Sequence, residues 1–203
     1  MEAGSPQRLG VFGGTFNPIH NGHLRLLQGA RDALDLDRVL VIPTKQPPHK
    51  RPQQLASDED RLAMCRLAVE GLCGVEVSDL EIRRGGLSYT ADTLAELHRR
   101  YPDSALFLLV GGDMFLTIDS WHESAAIARL AVVCGMARRA GELAALQARQ
   151  QVLRQKGFAT RILQLDAVDV SSTLVREAAA LGGALQLPEN VIQYINQHHL
   201  YGA

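Results

Sequence analysis

The chain has 203 residues, 46% of them hydrophobic and 21% charged, with a formal net charge of −1. That length suits one α/β domain with a full core, and the ordinary composition points neither to disorder nor to a membrane span. Near-neutral charge argues against a generic nucleic-acid binder, because any basic surface has to be local.

The first six residues, Met1-Glu2-Ala3-Gly4-Ser5-Pro6, have no basic n-region and no apolar core, so no secretory signal is expected. An apolar run at 9–12 reads as the first strand and leads into Gly13-Gly14-Thr15-Phe16-Asn17-Pro18-Ile19-His20-Asn21-Gly22-His23. A helical pattern with Leu24, Leu27, Ala30 and Leu34 on one face follows, consistent with a crossover helix. A second strand is expected at 38–42, then a proline-rich basic stretch at 43–54 that includes Lys45 and His49. Beyond it the pattern predicts a helix at 58–71, a strand at 75–78, a loop at 83–88 carrying Gly85-Gly86, and a helix at 90–100. Strands at 105–110, 131–135 and 160–165 enclose a helix at 141–156. Helices at 172–181 and 189–196 complete the chain, Pro188 suiting the start of the last. Strands alternating with helical patterns predict βαβ units and a mainly parallel sheet. The apolar runs near 106–110 and 130–134 are too short to cross a bilayer. Cys65, Cys73 and Cys134 have no metal-type spacing and are an odd number, so they read as reduced, mostly buried thiols of a cytoplasmic protein.

Two segments carry chemistry. In the first, a strand running through a glycine-rich turn into a helix gathers backbone N–H groups and a positive helix end at one spot, which attracts phosphate. His20 and His23 add donors for oxygens that gain charge during phosphoryl or nucleotidyl transfer, and Gly22 allows close backbone approach to a ligand. In the second, Val170-Ser171-Ser172-Thr173-Leu174-Val175-Arg176 follows the last predicted strand and opens a helix. Ser171, Ser172 and Thr173 suit either a plain helix cap or a phosphate site, and Arg176 lies one turn on, in reach of the same anion. The basic loops at 43–54 and 83–88 follow strand ends, where open α/β sheets bind ligands, so each is either a solvated connection or an anion-facing lid. No Gly-x-x-x-x-Gly-Lys-Ser/Thr loop and no Gly-x-Gly-x-x-Gly fingerprint occurs, which excludes an ordinary P-loop enzyme and makes a dehydrogenase a poor fit.

The first segment resembles the His-x-Gly-His signature of the nucleotidylyltransferase superfamily, and the second its Ser-x-Thr-x-x-Arg signature. Between them, Pro43–His49, the Ser88-Tyr89-Thr90 segment, Gly111-Gly112-Asp113 with Trp121, and the C-terminal helix are similar to bacterial nicotinate-nucleotide adenylyltransferases. One departure is Arg139-Ala140-Gly141, where that family more often has Arg-Pro-Gly.

The resemblance implies a Rossmann-like, doubly wound, mainly parallel sheet flanked by helices, one domain over residues 1–203. It implies transfer of AMP from ATP to the 5′-phosphate of nicotinate mononucleotide, giving deamido-NAD and pyrophosphate. His20, His23 and Arg176 are then the catalytic residues. Gly13, Gly14, Thr15, Phe16, Gly22, Gly111, Asp113, Ser171, Ser172 and Thr173 are expected on the ATP side, with Mg²⁺ carried by ATP and no protein metal cluster. Tyr89, Thr90, Asp113, Trp121, Lys45, His49 and Arg139 are expected around the nicotinate mononucleotide, Trp121 stacking on its ring.

Alternative acceptors are nicotinamide mononucleotide and pantetheine phosphate; the 89–94 and Trp121 segments favour a pyridine acceptor. A nucleotide-sensing module on the same fold is the alternative outside enzymes. Small-molecule partners, no nucleic acid, no membrane and a cytoplasmic monomer or homodimer complete the expectation.

Overall fold

Six strands pair side by side in the computed structural model: β1 (Arg8–Gly14), β2 (Arg38–Pro43), β3 (Val75–Val77), β4 (Ala105–Gly111), β5 (Ala131–Ala137) and β6 (Thr160–Gln164). The structure describes residues 7–47, 55–137, 140–165, 170–181, 183 and 186–202. Among these, every strand pairing is parallel and the sheet order is β3-β2-β1-β4-β5-β6. The expected doubly wound, Rossmann-like sheet is therefore present. Its direction of winding reverses between β1 and β4, and at such a reversal the connections diverge to leave a crevice beyond the carboxyl ends of the strands.

Helices cover both faces. The described ones are α1 (Asn21–Ala33), α2 (Asp58–Val69), α3 (Leu80–Arg84), α4 (Thr90–Arg100), α5 (Gly112–Thr117), α6 (Ser124–Leu130), α7 (Ala140–Gln155), α8 (Ser172–Ala180) and α9 (Glu189–Gln197). β4 is buried without a break from Leu106 to Val110, as a strand covered on both faces has to be. Its alternate side chains divide between two cores. Phe107 and Leu109 join Phe12, Val41, Leu27 and Met64, while Leu106, Leu108 and Val110 join Val11, Ile42, Leu94 and Phe115.

Several boundaries differ from the sequence reading for physical reasons. α3, α5 and α6 were not expected, because each is two turns or fewer and cannot display a 3.6-residue period. Arg83 and Arg84, read as loop, end α3. On α1, Leu27, Ala30 and Leu34 are buried as the spacing requires, but Leu26 completes the stripe and Leu24 is only half-buried. Of the three thiols, Cys65 and Cys134 are buried and Cys73 is exposed. No helix among the described residues is long and apolar enough to cross a membrane.

One glycine on β5 fixes where α5 lies. A Cβ on Gly135 would meet the Phe115 ring at 2.7 Å, so the bare backbone there admits Phe115, which is fully buried. Substituting Gly135→Ala is expected to cost about 1–3 kcal/mol through overpacking. In a chain of this size that lowers Tm by roughly 2–12 °C, which thermal unfolding followed by circular dichroism would measure.

Candidate active site

The end of β1 builds the first half of the site. Phe16 takes a left-handed backbone conformation (φ 46°), which turns its ring back over Gly14. A Cβ on Gly14 would lie 2.9 Å from that ring, so glycine is required there by Phe16. The Phe16 ring packs edge-on against His23, with centroids 5.1 Å apart. Over Gly13 a Cβ would find nothing nearer than the Ile42 carbonyl at 4.0 Å, so this backbone stays open.

The two histidines form a reciprocal cap on α1. The His23 N–H donates to His20 Nδ1 at 3.3 Å, and the His20 N–H donates to His23 Nδ1 at 3.2 Å. This is the logic of a capping box, with imidazoles in place of hydroxyl and carboxylate. The rings stack with centroids 3.6 Å apart. A neutral imidazole that accepts at Nδ1 carries its proton on Nε2, so the cap selects the tautomer that offers an Nε2–H. The three-residue spacing thus serves the helix start and aims two donors at once. Gly22 has a different immediate neighbour from the one expected: a Cβ there would meet Val170 Cγ1 at 2.8 Å and the His20 ring.

Arg61, which the sequence reading did not single out, ties the surrounding loops together. It is fully buried, and its guanidinium donates to the Thr15 carbonyl (2.7 Å), the Thr44 carbonyl (2.6 Å) and Asp58 Oδ1. Burial works to raise the Asp58 carboxyl, but bonds from Lys45 and Arg61 outweigh it and hold the group below the usual carboxylate range. In sequence, Asp58 and Arg61 read as an ordinary exposed pair one helical turn apart, and nothing marks them as a clamp.

α8 docks onto the same turn. Ser171 caps the helix by accepting from the Leu174 N–H at 3.2 Å. Ser172 Oγ donates to the Pro18 carbonyl at 2.9 Å, and Arg176 donates to the Asn17 carbonyl at 2.7 Å and to Thr173 Oγ1 at 3.3 Å. The two motifs at opposite ends of the chain therefore meet.

The second half of the site comes from the two loops that read in sequence as either solvated connections or anion-facing lids. They bond to each other. The Ser88 N–H donates to the Gln46 carbonyl at 2.9 Å, and the Lys45 N–H donates to Ser88 Oγ at 2.9 Å. Ser88 is buried, and next to it Tyr89 stacks on His122 with centroids 4.1 Å apart.

Between these halves lies a cavity of about 340 Å³. Gly13, Gly14, Thr15, Phe16 and His23 line it on the β1 side. Tyr89, Thr90 and Trp121 line the other end, and Gly111 and Asp113 lie on the wall at the end of β4. Asp113 is exposed, and Gly111 rather than Asp113 is the N-cap of α5. His122, Ser88 and Glu81 line the cavity as well and were missed; Glu81 sits in an apolar stretch, Leu80-Glu81-Ile82, the one hint that it is buried.

Other expected residues do not line the cavity. His20 lies behind His23 in the stacked pair, and Ser171, Ser172, Thr173 and Arg176 stand beside the β1–α1 turn. Lys45 Nζ is ion-paired with Asp58. His49 and Arg139 lie outside the described residues. Among the described residues no group of three or more His, Cys, Asp and Glu could hold a metal ion.

Comparison with known proteins gives the same outline. Residues 11–178 match the model of the Cytidylyltransferase-like family. A Citrifermentans bemidjiense protein named "Probable nicotinate-nucleotide adenylyltransferase" is 42% identical, the match covering 96% of this chain and 98% of that protein. A Gloeobacter violaceus protein of the same name is 38% identical, with 96% of each covered. In fold, the chain is similar to Plasmodium falciparum nicotinic acid mononucleotide adenylyltransferase complexed with NaAD, at a TM-score of 0.77 and 18% identity, covering 96% of this chain and 97% of that one.

Proposed function

Because the chain belongs to the Cytidylyltransferase-like family and, within it, to the nicotinate-nucleotide adenylyltransferases, we propose how its cavity carries that reaction. AMP passes from ATP to the 5′-phosphate of nicotinate mononucleotide, and the products are deamido-NAD and pyrophosphate. An acceptor phosphate oxygen attacks the α-phosphorus; the bond from that phosphorus to the pyrophosphate oxygen breaks. No side-chain nucleophile is needed, since the acceptor is already an anion. The protein's work is alignment of two polyanions and stabilisation of charge on phosphoryl oxygens.

The observation that carries this reading is the histidine cap at the start of α1, beside a cavity lined by the β1 turn on one side and by Tyr89, Thr90 and Trp121 on the other. His23 gives its Nε2–H to the α-phosphate, with the helix N-terminus adding its own positive end. His20 supports it from behind and faces the triphosphate. Gly13, Gly14, Thr15 and Phe16 form the turn against the nucleotide, and Gly22 keeps the His20 ring in place. Ser171, Ser172, Thr173 and Arg176 serve the β- and γ-phosphates beside that turn. Mg²⁺ arrives on the triphosphate as part of the substrate and offsets charge there. Asp113 accepts from ribose hydroxyls on the β4 side, next to Gly111. Trp121 stacks on the pyridine ring, Tyr89 and Thr90 face it, and Lys45, His49 and Arg139 serve the acceptor phosphate. The reading carries one domain over residues 1–203, a cytoplasmic monomer or homodimer, and no nucleic-acid or membrane partner.

Pyrophosphate release from ATP and Mg²⁺ tests the reaction, with nicotinate and nicotinamide mononucleotides compared in parallel. Strong turnover of the acid is expected; preference for the amide would overturn the ring-pocket assignment. Trp121→Ala tests the pocket separately. Loss of one stacking platform is worth about 1–3 kcal/mol, so the acceptor KM is expected to rise roughly 5- to 150-fold while the ATP KM holds. Equal changes in both would contradict the assignment of Trp121 to the acceptor end.

A further inference from the structure

Among the described residues, Glu81 is the one carboxylate in the cavity wall that the mechanism above leaves without a task. It is 5% exposed and lines the cavity together with Ser88, Tyr89 and Thr90. Oε1 accepts from Thr93 Oγ1 at 2.6 Å, and Arg84 donates to the same Thr93 oxygen at 2.9 Å. Oε2 is buried with no hydrogen-bond partner among the described residues. A buried carboxyl with one oxygen satisfied and the other not is a costly arrangement unless a ligand or a proton completes it.

We propose that Glu81 determines the choice between an acidic and an amide ring substituent on the acceptor: neutral, with its proton on Oε2, it donates to the ring carboxylate, whereas ionised it repels that carboxylate. This rests on the assignment of the Tyr89–Trp121 end to the acceptor ring. The chemistry is self-consistent. An uncharged carboxyl hydrogen-bonds an anion well, while two carboxylates in contact cannot both ionise cheaply. Burial favours the neutral form of Glu81 and outweighs the Thr93 bond, the nearby Ser88 hydroxyl and the Arg84 charge, which favour the ionised one.

The charged groups around Glu81 are mostly paired with one another. On α3, Asp79 and Arg83 pair with each other. Across from it on α4, Glu96 pairs with both Arg84 and Arg100. Lys45, whose N–H holds Ser88, is paired with Asp58 through its side chain. His122 lies against Tyr89 at the same end of the cavity and is the other titratable group near the ring, whereas His23 and Asp113 line it on the β1 and β4 sides. The acceptor phosphate is common to the two substrates and cancels in their ratio, and the Glu81→Gln variant separates Glu81 from His122.

The test is the ratio of kcat/KM for nicotinate over nicotinamide mononucleotide, measured from pH 5 to 9. For the native chain the ratio is expected to fall as pH rises, approaching tenfold per pH unit, the limit for one proton. Glu81→Gln keeps the acceptor for Thr93 and is neutral at every pH, so its ratio is expected to be flat and high. A flat ratio in the native chain, or the same slope in Glu81→Gln, would overturn the inference; if that variant folds poorly, loss of the slope in His122→Gln would overturn it instead. Turnover of neither acceptor would overturn the acceptor assignment itself and the inference with it; turnover of both with a flat ratio would overturn only the role of Glu81.

Discussion

Replacing His23 by alanine is expected to lower kcat by about 10²–10³ while leaving the fold in place. The rate term follows from removing one preorganised donor at the phosphorus that changes hands; such donors carry factors of that size in other enzymes. The stability term is separate and small. The variant loses the Nδ1 acceptor for the His20 N–H, the kind of cap worth about 1 kcal/mol, or roughly 2–4 °C in Tm for a chain of this length. Because the two terms differ so widely, they can be told apart in one preparation. Steady-state rates should collapse where calorimetry shows a native-like transition. A loss of only a few fold, alongside the same small Tm change, would mean that the histidines serve the helix cap alone.

The largest stability effect is expected at Arg61. Arg61→Ala deletes a guanidinium that bonds Thr15, Thr44 and Asp58 from inside the protein. Two carbonyls lose their donor, and Asp58 keeps its pairing with Lys45. Removing one member of a buried ion pair typically costs about 3–5 kcal/mol, a large share of a total that is usually 5–15 kcal/mol. Tm should fall by roughly 6–20 °C. The loops at Thr15 and Thr44 come from the ends of neighbouring strands and both line the cavity. Losing the clamp should therefore raise the KM for both substrates at temperatures where the variant is still folded. A Tm within about 2 °C of the native value would contradict the role given to Arg61 here.

The contrast between these two residues says what a sequence can reveal. His20 and His23 were legible because catalysis and helix capping impose the same local spacing, and both act within four residues of each other. The parallel sheet was legible too, since strands buried on both faces, such as Leu106–Val110, must be apolar throughout. The order of the strands, with β1 against β4, then puts Asp113 and the glycine turn on one cavity. Arg61 was not legible. Its partners at Thr15 and Thr44 are 46 and 17 residues away, and a charged residue on a helix is usually solvated. The loops at 43–54 and 83–88 show the same limit: their polarity suggested solvent, yet Ser88 is buried because Gln46 and Lys45 bond it. α5 and α6 escaped because a helix of two turns or fewer has no period to read, although the spacing of Asp113 and Trp121 depends on α5 and the single helical turn Ile118–Ser120 that follows it.

The most direct test of the central claim, that one cavity holds both ends of the reaction, is a crystal structure of this protein with deamido-NAD bound. The account predicts the adenylyl phosphate within hydrogen-bond distance of His23 and the pyridine ring against Trp121, with its carboxylate toward Tyr89, Thr90 and Glu81. A product lying with its pyridine ring at the His23 end, or outside the cavity altogether, would contradict it.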